Sequence, residues 1–276
     1  MTSRAAKWTP FLLFQLIFFS FLVGALGIPA FAFDHSYKQW DQSLKKFVVT
    51  HGAATRFKYY ELQKDRKDLD AFLIEVKAVK ASDYQSWSEP QKLAFLFNSY
   101  NALTVDLVAS HTSPQKPLSS IKDIGSFIKS TWKIKFFNFL GEESSLDHIE
   151  QELARPQFDE PRMHFAFNCA AIGCPNLNPE AFIPEKLEAQ LENSAHSFLD
   201  DKNRNTFAKN ESDLQISSIF KWYGEDFDHS KKFKSLRHFL ATHMKLSKPV
   251  ETKLEDGSLP IKFLDYDWKL NIDQPL

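Results

Sequence analysis

Glycine and cysteine are both scarce in this chain, which has 8 glycines and 2 cysteines among its 276 residues. The glycines are too scattered to form a P-loop or a dinucleotide-binding fingerprint, so neither phosphate-binding loop is present. Two cysteines cannot build a disulfide framework or, by themselves, a thiolate zinc site. We therefore expect no cofactor and no metal, and any chemistry must come from a few residues.

A surplus of positive charge is also missing, since 34 Lys and Arg residues face 35 Asp and Glu residues. A protein that binds nucleic acid through its phosphates needs such a surplus, so we expect no nucleic-acid partner. The 43% hydrophobic and 25% charged residues are typical of a globular protein and exclude a disordered chain. The expected partner is an unidentified small-molecule or peptide ligand.

The first 32 residues have the pattern of an export signal. Arg4 and Lys7 precede an uncharged apolar run over 11–27, and an Ala-Phe-Ala sequence ends at Ala32. This pattern predicts a signal peptide over 1–32 that is cleaved after Ala32, and a periplasmic or secreted protein. The apolar run is close to the length that spans a bilayer, so an uncleaved N-terminal membrane anchor is the alternative.

Residues 33–276 contain no linker, charge block or repeat, which predicts a single domain. Helical spacing of apolar residues outweighs short, scattered strand patterns, so we expect an α+β fold, helix-rich with a small, mainly antiparallel sheet. Ser88 and Gln91 form a capping box that starts a central buried helix over 89–110. Other helices are predicted over 35–51, 65–80, 184–201, 218–223 and 232–244, and strands over 162–169, 205–209, 213–217 and 261–264.

Both cysteines lie in one segment, 161–179. The predicted strand 162–169 ends at Cys169, and four residues separate it from Cys174. One hypothesis is a Cys169–Cys174 disulfide, which would contribute on the order of 2–3 kcal/mol in an exported protein. A second is a Cys169 nucleophile, activated by amide N–H groups at the strand end. A third is a thiol–disulfide switch, although the spacing is not Cys-x-x-Cys.

A base for Cys169 has several candidates. His164 precedes Cys169 by five residues on the predicted strand, so its side chain is expected on the opposite face. His148 and Glu150 are then the candidates from elsewhere in the chain. His164 is otherwise a hydrogen-bonded core histidine, and Glu150 is otherwise solvated or paired with an arginine.

Two amides, Asn98 and Asn101, are three residues apart and share one face of the predicted central helix. Amides on an otherwise apolar helix need hydrogen-bond partners. One interpretation is structural, with both side chains binding the backbone of a neighbouring loop. The other is functional, with one of them orienting a substrate or a catalytic histidine, as in Cys–His–Asn enzymes.

Several blocks of sequence together resemble the DUF547 family, a domain of unknown function, over roughly 86–270. Gln151 departs from the family pattern, which usually has His directly after the motif Glu150. If that His is catalytic in relatives, this chain has either lost the step or uses the neighbouring His148. The resemblance implies an exported bacterial member of this family. The blocks lie at 97–103, 146–150, 153–156, 164–166, 168–169, 173–175, 220–223, 226–227 and 264–268.

Two functions from different classes follow. The first is a papain- or transglutaminase-like thiol enzyme in permuted order, acting on amide or thioester bonds. In it Cys169 is the nucleophile, His164 or His148 the base, and Asn98 or Asn101 the orienting amide. The second is a non-catalytic periplasmic ligand-binding or interaction module, in which the two cysteines form a structural disulfide.

Overall fold

Helices carry most of the fold in this computed structural model, which describes residues 1–2, 33–126, 128–208 and 212–273. Short 3-10 helices cover Ile121–Ile124, Thr131–Lys133, Pro161–Phe165 and Pro184–Lys186, and a π-helix covers His148–Ala154. The α-helices are α1 (Lys38–Phe47), α2 (Tyr59–Leu62), α3 (Lys67–Ala78), α4 (Ala81–Ser86), α5 (Glu89–His111), α6 (Leu187–Asp200), α7 (Ile219–His229), α8 (Leu236–His243) and α9 (Lys248–Glu255).

The strands are short and form small separate sheets within the described residues. Two are antiparallel hairpins, β1–β2 and β3–β4; in the third sheet β6 pairs antiparallel with β5 and parallel with β7. The α+β, helix-rich prediction with small antiparallel pairings is confirmed. The strands are β1 (Val48–His51), β2 (Ala54–Phe57), β3 (Phe137–Phe139), β4 (Glu142–Ser144), β5 (Thr206–Phe207), β6 (Leu214–Ser217) and β7 (Ile261–Leu264).

Residues Phe33–Leu276 form one compact unit. The predicted signal peptide or anchor lies almost entirely outside the described residues. Among the residues that the structure does describe, no helix has both the length and the apolar character needed to cross a membrane.

Helix α5 runs through the middle of the fold, as its sequence predicts. Its start is fixed by the backbone N–H of Ser88, which donates to Gln91 Oε1 at 2.9 Å, and by Pro90 in the first turn. Side chains are buried on all its faces from Leu93 to Ala109, apart from half-buried Asp106. A helix surrounded in this way provides a rigid reference to which loops can be attached.

The buried apolar residues form two clusters that meet at one short segment. The first is built around α1, α3 and α5, and the second around α7 and α8. Met163 and Phe167 pack in the first cluster, whereas Phe165 packs in the second against Phe198 and Phe239. Packing against both clusters therefore fixes the backbone on either side of His164.

The strand predicted over 162–169 is wrong. The segment starts as the 3-10 helix Pro161–Phe165, with Pro161 in its first turn and the Glu160 carboxylate accepting from Arg162 N–H at 3.2 Å. The alternation of Met163 and Phe165 has another cause, because the two residues pack in different core clusters. Because the segment is not a strand, His164 and Cys169 are not held on opposite faces of one.

Candidate functional site

A cavity of about 210 Å³ opens where the two core clusters meet. Its wall includes Tyr100 of α5, Glu150 of the π-helix and Tyr223 of α7. Cys169 and His164 both line it. The structure therefore brings together the thiol and the imidazole that the sequence had placed on opposite faces of a strand.

The loop that carries Cys169 is held by hydrogen bonds on every side. Ala170 has a left-handed backbone with φ 59°, an uncommon conformation for a residue other than glycine. The Asn168 side chain accepts from Ala170 N–H at 3.0 Å and donates to Pro175 C=O at 2.7 Å. Asn271 N–H donates to Ala170 C=O at 2.9 Å. These contacts hold Cys169 in one position at the cavity wall.

The two cysteines are free thiols, so the disulfide expected between them is not present in the structure. The sulfur of Cys174 accepts from the backbone N–H of Cys169 at 2.7 Å and contacts Phe167 C=O at 3.8 Å. The sulfur of Cys169 lies 3.1 Å from the hydroxyl of Tyr266. Cys174 thus serves as a buried support for the loop, and the half-buried Cys169 is available to the cavity.

The surroundings of Cys169 favour its thiolate. Burial alone would raise the pKa of Cys169, but hydrogen bonds from the Cys174 thiol, the Tyr266 hydroxyl and Ala171 N–H outweigh it and lower that pKa. Burial, reinforced by the nearby Cys169 thiolate, raises the pKa of Cys174 and that of Tyr266 well above their usual values. Cys169 is therefore the first of these three groups to ionise, and the thiolate is the nucleophilic form of cysteine.

His164 is held by a carboxylate and a ring. Its Nε2–H donates to Asp226 Oδ2 at 2.6 Å, and its ring stacks on Tyr223 with centroids 4.0 Å apart. Arg155 binds the two oxygens of Asp226 at 2.8 Å each. Burial alone would raise the pKa of Asp226, but His164 and Arg155 hold it well below its usual range.

A proton on Nε2 leaves the other nitrogen, Nδ1, as the basic one in neutral His164. Among the hydrogen bonds of the described residues, Nδ1 of His164 has no partner. An imidazole with one nitrogen bound to a carboxylate and the other free is the arrangement of a general base.

Glu150 is a buried carboxylate beside the histidine. The Tyr223 hydroxyl donates to its Oε1 at 3.0 Å, and Gln151 Nε2 donates to the same oxygen at 3.1 Å. Burial raises the pKa of Glu150, against the opposing effects of His164 and of hydrogen bonds from Tyr223 and Tyr100. Burial thus makes the Glu150 carboxyl easier to protonate than an exposed one.

Gln151 is part of the same network. Gln151 Oε1 accepts from Arg155 Nη1 at 2.5 Å, and its Nε2 lies 3.4 Å from the Tyr223 hydroxyl. The amide therefore links Arg155, Tyr223 and Glu150. Gln151 cannot transfer a proton as a histidine would, which leaves His164 and Glu150 as the bases, among the candidates that the sequence predicted, that line the cavity.

Asn98 and Asn101 lie outside the cavity wall and bind backbone. Asn101 donates to Ala166 C=O at 2.9 Å and accepts from Asn168 N–H at 2.8 Å. Asn98 makes the same pair of bonds to the C=O and N–H of Phe182, at 2.7 and 3.0 Å. These amides attach the Cys169 loop and the 182 segment to α5, the contacts that the structural interpretation expects.

His148 is also away from the cavity. Its Nδ1 lies 3.0 Å from Glu152 Oε2 on the outer face of the π-helix, and both side chains are accessible to solvent. The residues that sequence reasoning missed are Asp226, Tyr223 and Tyr266. They fall within the family-like blocks at 220–223, 226–227 and 264–268, which was the available signal for them. Within the described part of the chain, no group of three or more His, Cys, Asp or Glu residues could hold a metal.

The fold and cavity define a class: an α+β protein with a thiol, an imidazole and a carboxylate around one small cavity. The family model described as "Protein of unknown function, DUF547" matches residues 84–199 and supports assignment of the chain to that family. Cys169 and His164 fall inside the match, and Asp226 and Tyr266 fall outside it. No curated protein and no solved structure matches the chain significantly.

Proposed function

We propose that this protein is a papain- or transglutaminase-like thiol enzyme that acts on amide or thioester bonds. One observation carries the proposal: Cys169 and His164 line the same cavity, and His164 Nε2 is bound by Asp226 at 2.6 Å. A nucleophile, a base and a third group that orients the base are the parts that covalent acyl transfer needs.

In the proposed reaction, the Cys169 proton passes to Nδ1 of His164. The Cys169 sulfur then attacks the substrate carbonyl carbon, and a C–S bond forms while the C–N or C–S bond of the substrate breaks. His164 returns the proton to the leaving amine or thiol. The resulting thioester acyl-enzyme is released by water or by an acceptor amine, whose proton again passes through His164.

The neighbouring groups support these steps. Ala171 N–H and the Tyr266 hydroxyl favour the thiolate, as described above. When the thiolate is consumed, the Tyr266 hydroxyl is close enough to the reacting sulfur to donate to the developing oxyanion. Asp226 acts as a positioning residue, since it contacts His164 rather than the substrate.

The test is acyl-enzyme formation with S-phenyl thioacetate, followed by intact-protein and peptide mass spectrometry. We expect one acetyl group on Cys169, none in Cys169→Ser, and a rate that is about 10²–10⁴-fold lower in His164→Gln. His238→Gln is the matched control, because His238 lies in an exposed pair with Glu255. An unlabelled Cys169, or equal rates in the two histidine variants, would refute the proposal.

A second candidate function is ligand binding without catalysis. It is favoured by the hydrogen bond of the Cys169 sulfur, which is made with the Tyr266 hydroxyl at 3.1 Å rather than with an imidazole. Catalytic hydrogen bonds often form only with substrate bound, so the enzyme needs a Cys169–His164 contact to form at that stage, whereas a binding module needs no such change. In a pure binding module, S-phenyl thioacetate would leave Cys169 unmodified, and the same experiment decides between the two.

A further inference from the structure

One wall of the cavity is made of aromatic rings. The rings of Trp222, Tyr266 and Trp268 all contact one another, with centroids 4.5–5.8 Å apart, and Trp132 meets Trp268 edge-on at 5.7 Å. All four line the cavity that holds Cys169. Trp222 is 44% exposed, unusually open for such a large ring in a packed cluster.

The charged groups at this cavity are mostly acidic. Asp147 and Glu150 line it, and the lining contains no lysine or arginine. Its one group that can become cationic, His164, is already bound to Asp226. A carboxylate or phosphate on a ligand would therefore find no lysine or arginine in the cavity lining, while an ammonium group would find negative charge and π-faces together.

Asp147 is the carboxylate that lacks a partner. It is half-buried at the start of the π-helix, and its side chain makes no capping bond there. Among the hydrogen bonds and ion pairs of the described residues, its carboxylate takes part in none, whereas Glu150 is bound by Tyr223 and Gln151. A carboxylate that faces a cavity without a partner can accept a ligand's ammonium without giving up an existing bond.

The aromatic wall already binds one ammonium group of the chain itself. Lys122 Nζ lies 3.6 Å from the ring centroid of Trp268, although Lys122 is not among the residues that line the cavity. This cation–π contact shows that the ring cluster attracts positive charge.

We propose that the cavity recognises a primary ammonium group of the substrate, with Asp147 as its counter-ion and the Trp132 and Trp222 rings beside it. The inference rests on the proposed thiol chemistry and adds a substrate class to it: amides or thioesters that carry an amine, such as a lysine side chain, close to the reacting carbonyl. A volume of about 210 Å³ suits one side-chain-sized group rather than a large ligand.

The test measures binding in the absence of any reaction. Full-length Cys169→Ser protein is titrated by isothermal calorimetry with n-butylammonium, n-butanol and butyrate, which share a four-carbon chain and differ in charge. We expect n-butylammonium to bind most tightly, and Asp147→Asn to weaken it about tenfold or more. Glu152→Gln is the matched control, because it removes one negative charge from the same helix outside the cavity.

The outcomes separate this inference from the proposed function. Equal binding of the three probes, or equal losses in the Asp147 and Glu152 variants, would overturn the ammonium site whatever the thiol does. Binding of n-butylammonium that depends on Asp147, with no acetylation of Cys169, would keep the site and refute the enzyme. Acetylation of Cys169 without preferential binding of n-butylammonium would support the enzyme and refute the ammonium site.

Discussion

Two arginine–carboxylate clusters meet at the 3-10 helix Pro161–Phe165, and they differ in whether their hydrogen bonds are complete. Arg162 is almost fully buried, and all five of its N–H groups donate to carboxylates at 2.6–2.9 Å. Its partners are Glu160, Glu188 and Glu192. The Arg162 cluster is thus complete within the protein.

The Arg155 cluster is incomplete at one end. Arg155 binds Asp226 and Gln151, and Asp226 accepts from His164, but among the described residues Nδ1 of His164 has no partner. Arg162 and His164 are two residues apart on one helical turn. The hydrogen-bond network of Arg162 is complete, whereas the network that includes His164 ends at a ring nitrogen that has no partner among the described residues. A buried polar atom without a hydrogen-bond partner is thus a better mark of a candidate functional site in this protein than a high local concentration of charge.

The largest effect on stability is expected for Arg162→Met. Loss of the guanidinium leaves Glu160 buried, with Lys232 as its remaining cationic partner among the described residues, and should lower the free energy of unfolding by about 3–5 kcal/mol. Urea denaturation followed by tryptophan fluorescence measures it. The fraction that remains folded should still acetylate Cys169 at the normal rate. A loss under about 1 kcal/mol would show that the two clusters do not differ as described.

The next effect is on rate, in Asp226→Asn. An amide cannot hold His164 in the required tautomer, so we expect acetylation of Cys169 to slow by about 10–100-fold while the protein stays folded. Asp226→Glu, which keeps the charge, should recover part of the rate. A similar loss of acetylation rate in both variants would indicate that Asp226 has a packing role only. If Asp226 positions His164, the pH dependence of the acetylation rate should flatten in Asp226→Asn and not in Asp226→Glu.

The same variant has a signed effect on stability. The pKa of Asp226 is lower in the folded protein than its usual value of 3.8, so its contribution to stability is present above that pH. It is lost as the pH falls from 3.8 toward the lower folded value. Thermal unfolding of Asp226→Asn should therefore depend less on pH in this acid range than unfolding of the wild type.

The smallest effect is expected for Glu150→Gln, and it is stabilising. Burial raises the folded pKa of Glu150, so the favourable contribution of its neutral form is present below the usual 4.5 and lost as the pH rises through the folded value. The neutral amide avoids that loss and can still accept from Tyr223. The melting temperature should rise at pH 7 and stay nearly unchanged at pH 4. Exposed Glu152→Gln is the control, and a decrease at both pH values would contradict the prediction.

Much of the fold could be predicted because its elements have local signals. Helix α5 starts at a capping box and β7 has the predicted bounds, Ile261–Leu264. Helix α9 was missed because Leu254 is its one buried residue, which leaves little apolar periodicity to detect. The helix predicted over 35–51 ends at Phe47, because 48–51 pairs in a hairpin that turns at Gly52, with φ 59°.

The site was harder to predict than the fold. The sequence singled out Cys169, His164 and Glu150, which do line the cavity, but it also singled out His148, Asn98 and Asn101, which do not. The wrong strand around His164 was predicted because Met163, Phe165 and Phe167 pack alternately in two core clusters, which gives the same two-residue period as a strand. Contacts between residues far apart in the chain leave no local spacing pattern in the sequence. Asp226 is 62 residues from His164, and Tyr266 is 97 residues from Cys169.

The thiol loop is closed by a much later part of the chain, and this sets the order in which the site can form. Ile172 N–H donates to Lys269 C=O and Gly173 N–H to Asp267 C=O, both at 2.8 Å. A Cβ added to Gly173 would lie only 3.0 Å from Asp267 N, so that backbone can fit only against a glycine. During synthesis, Cys169 leaves the ribosome long before these residues do. A nascent chain therefore carries the thiol without its finished loop contacts, which can form only when the chain has been extended through Asn271.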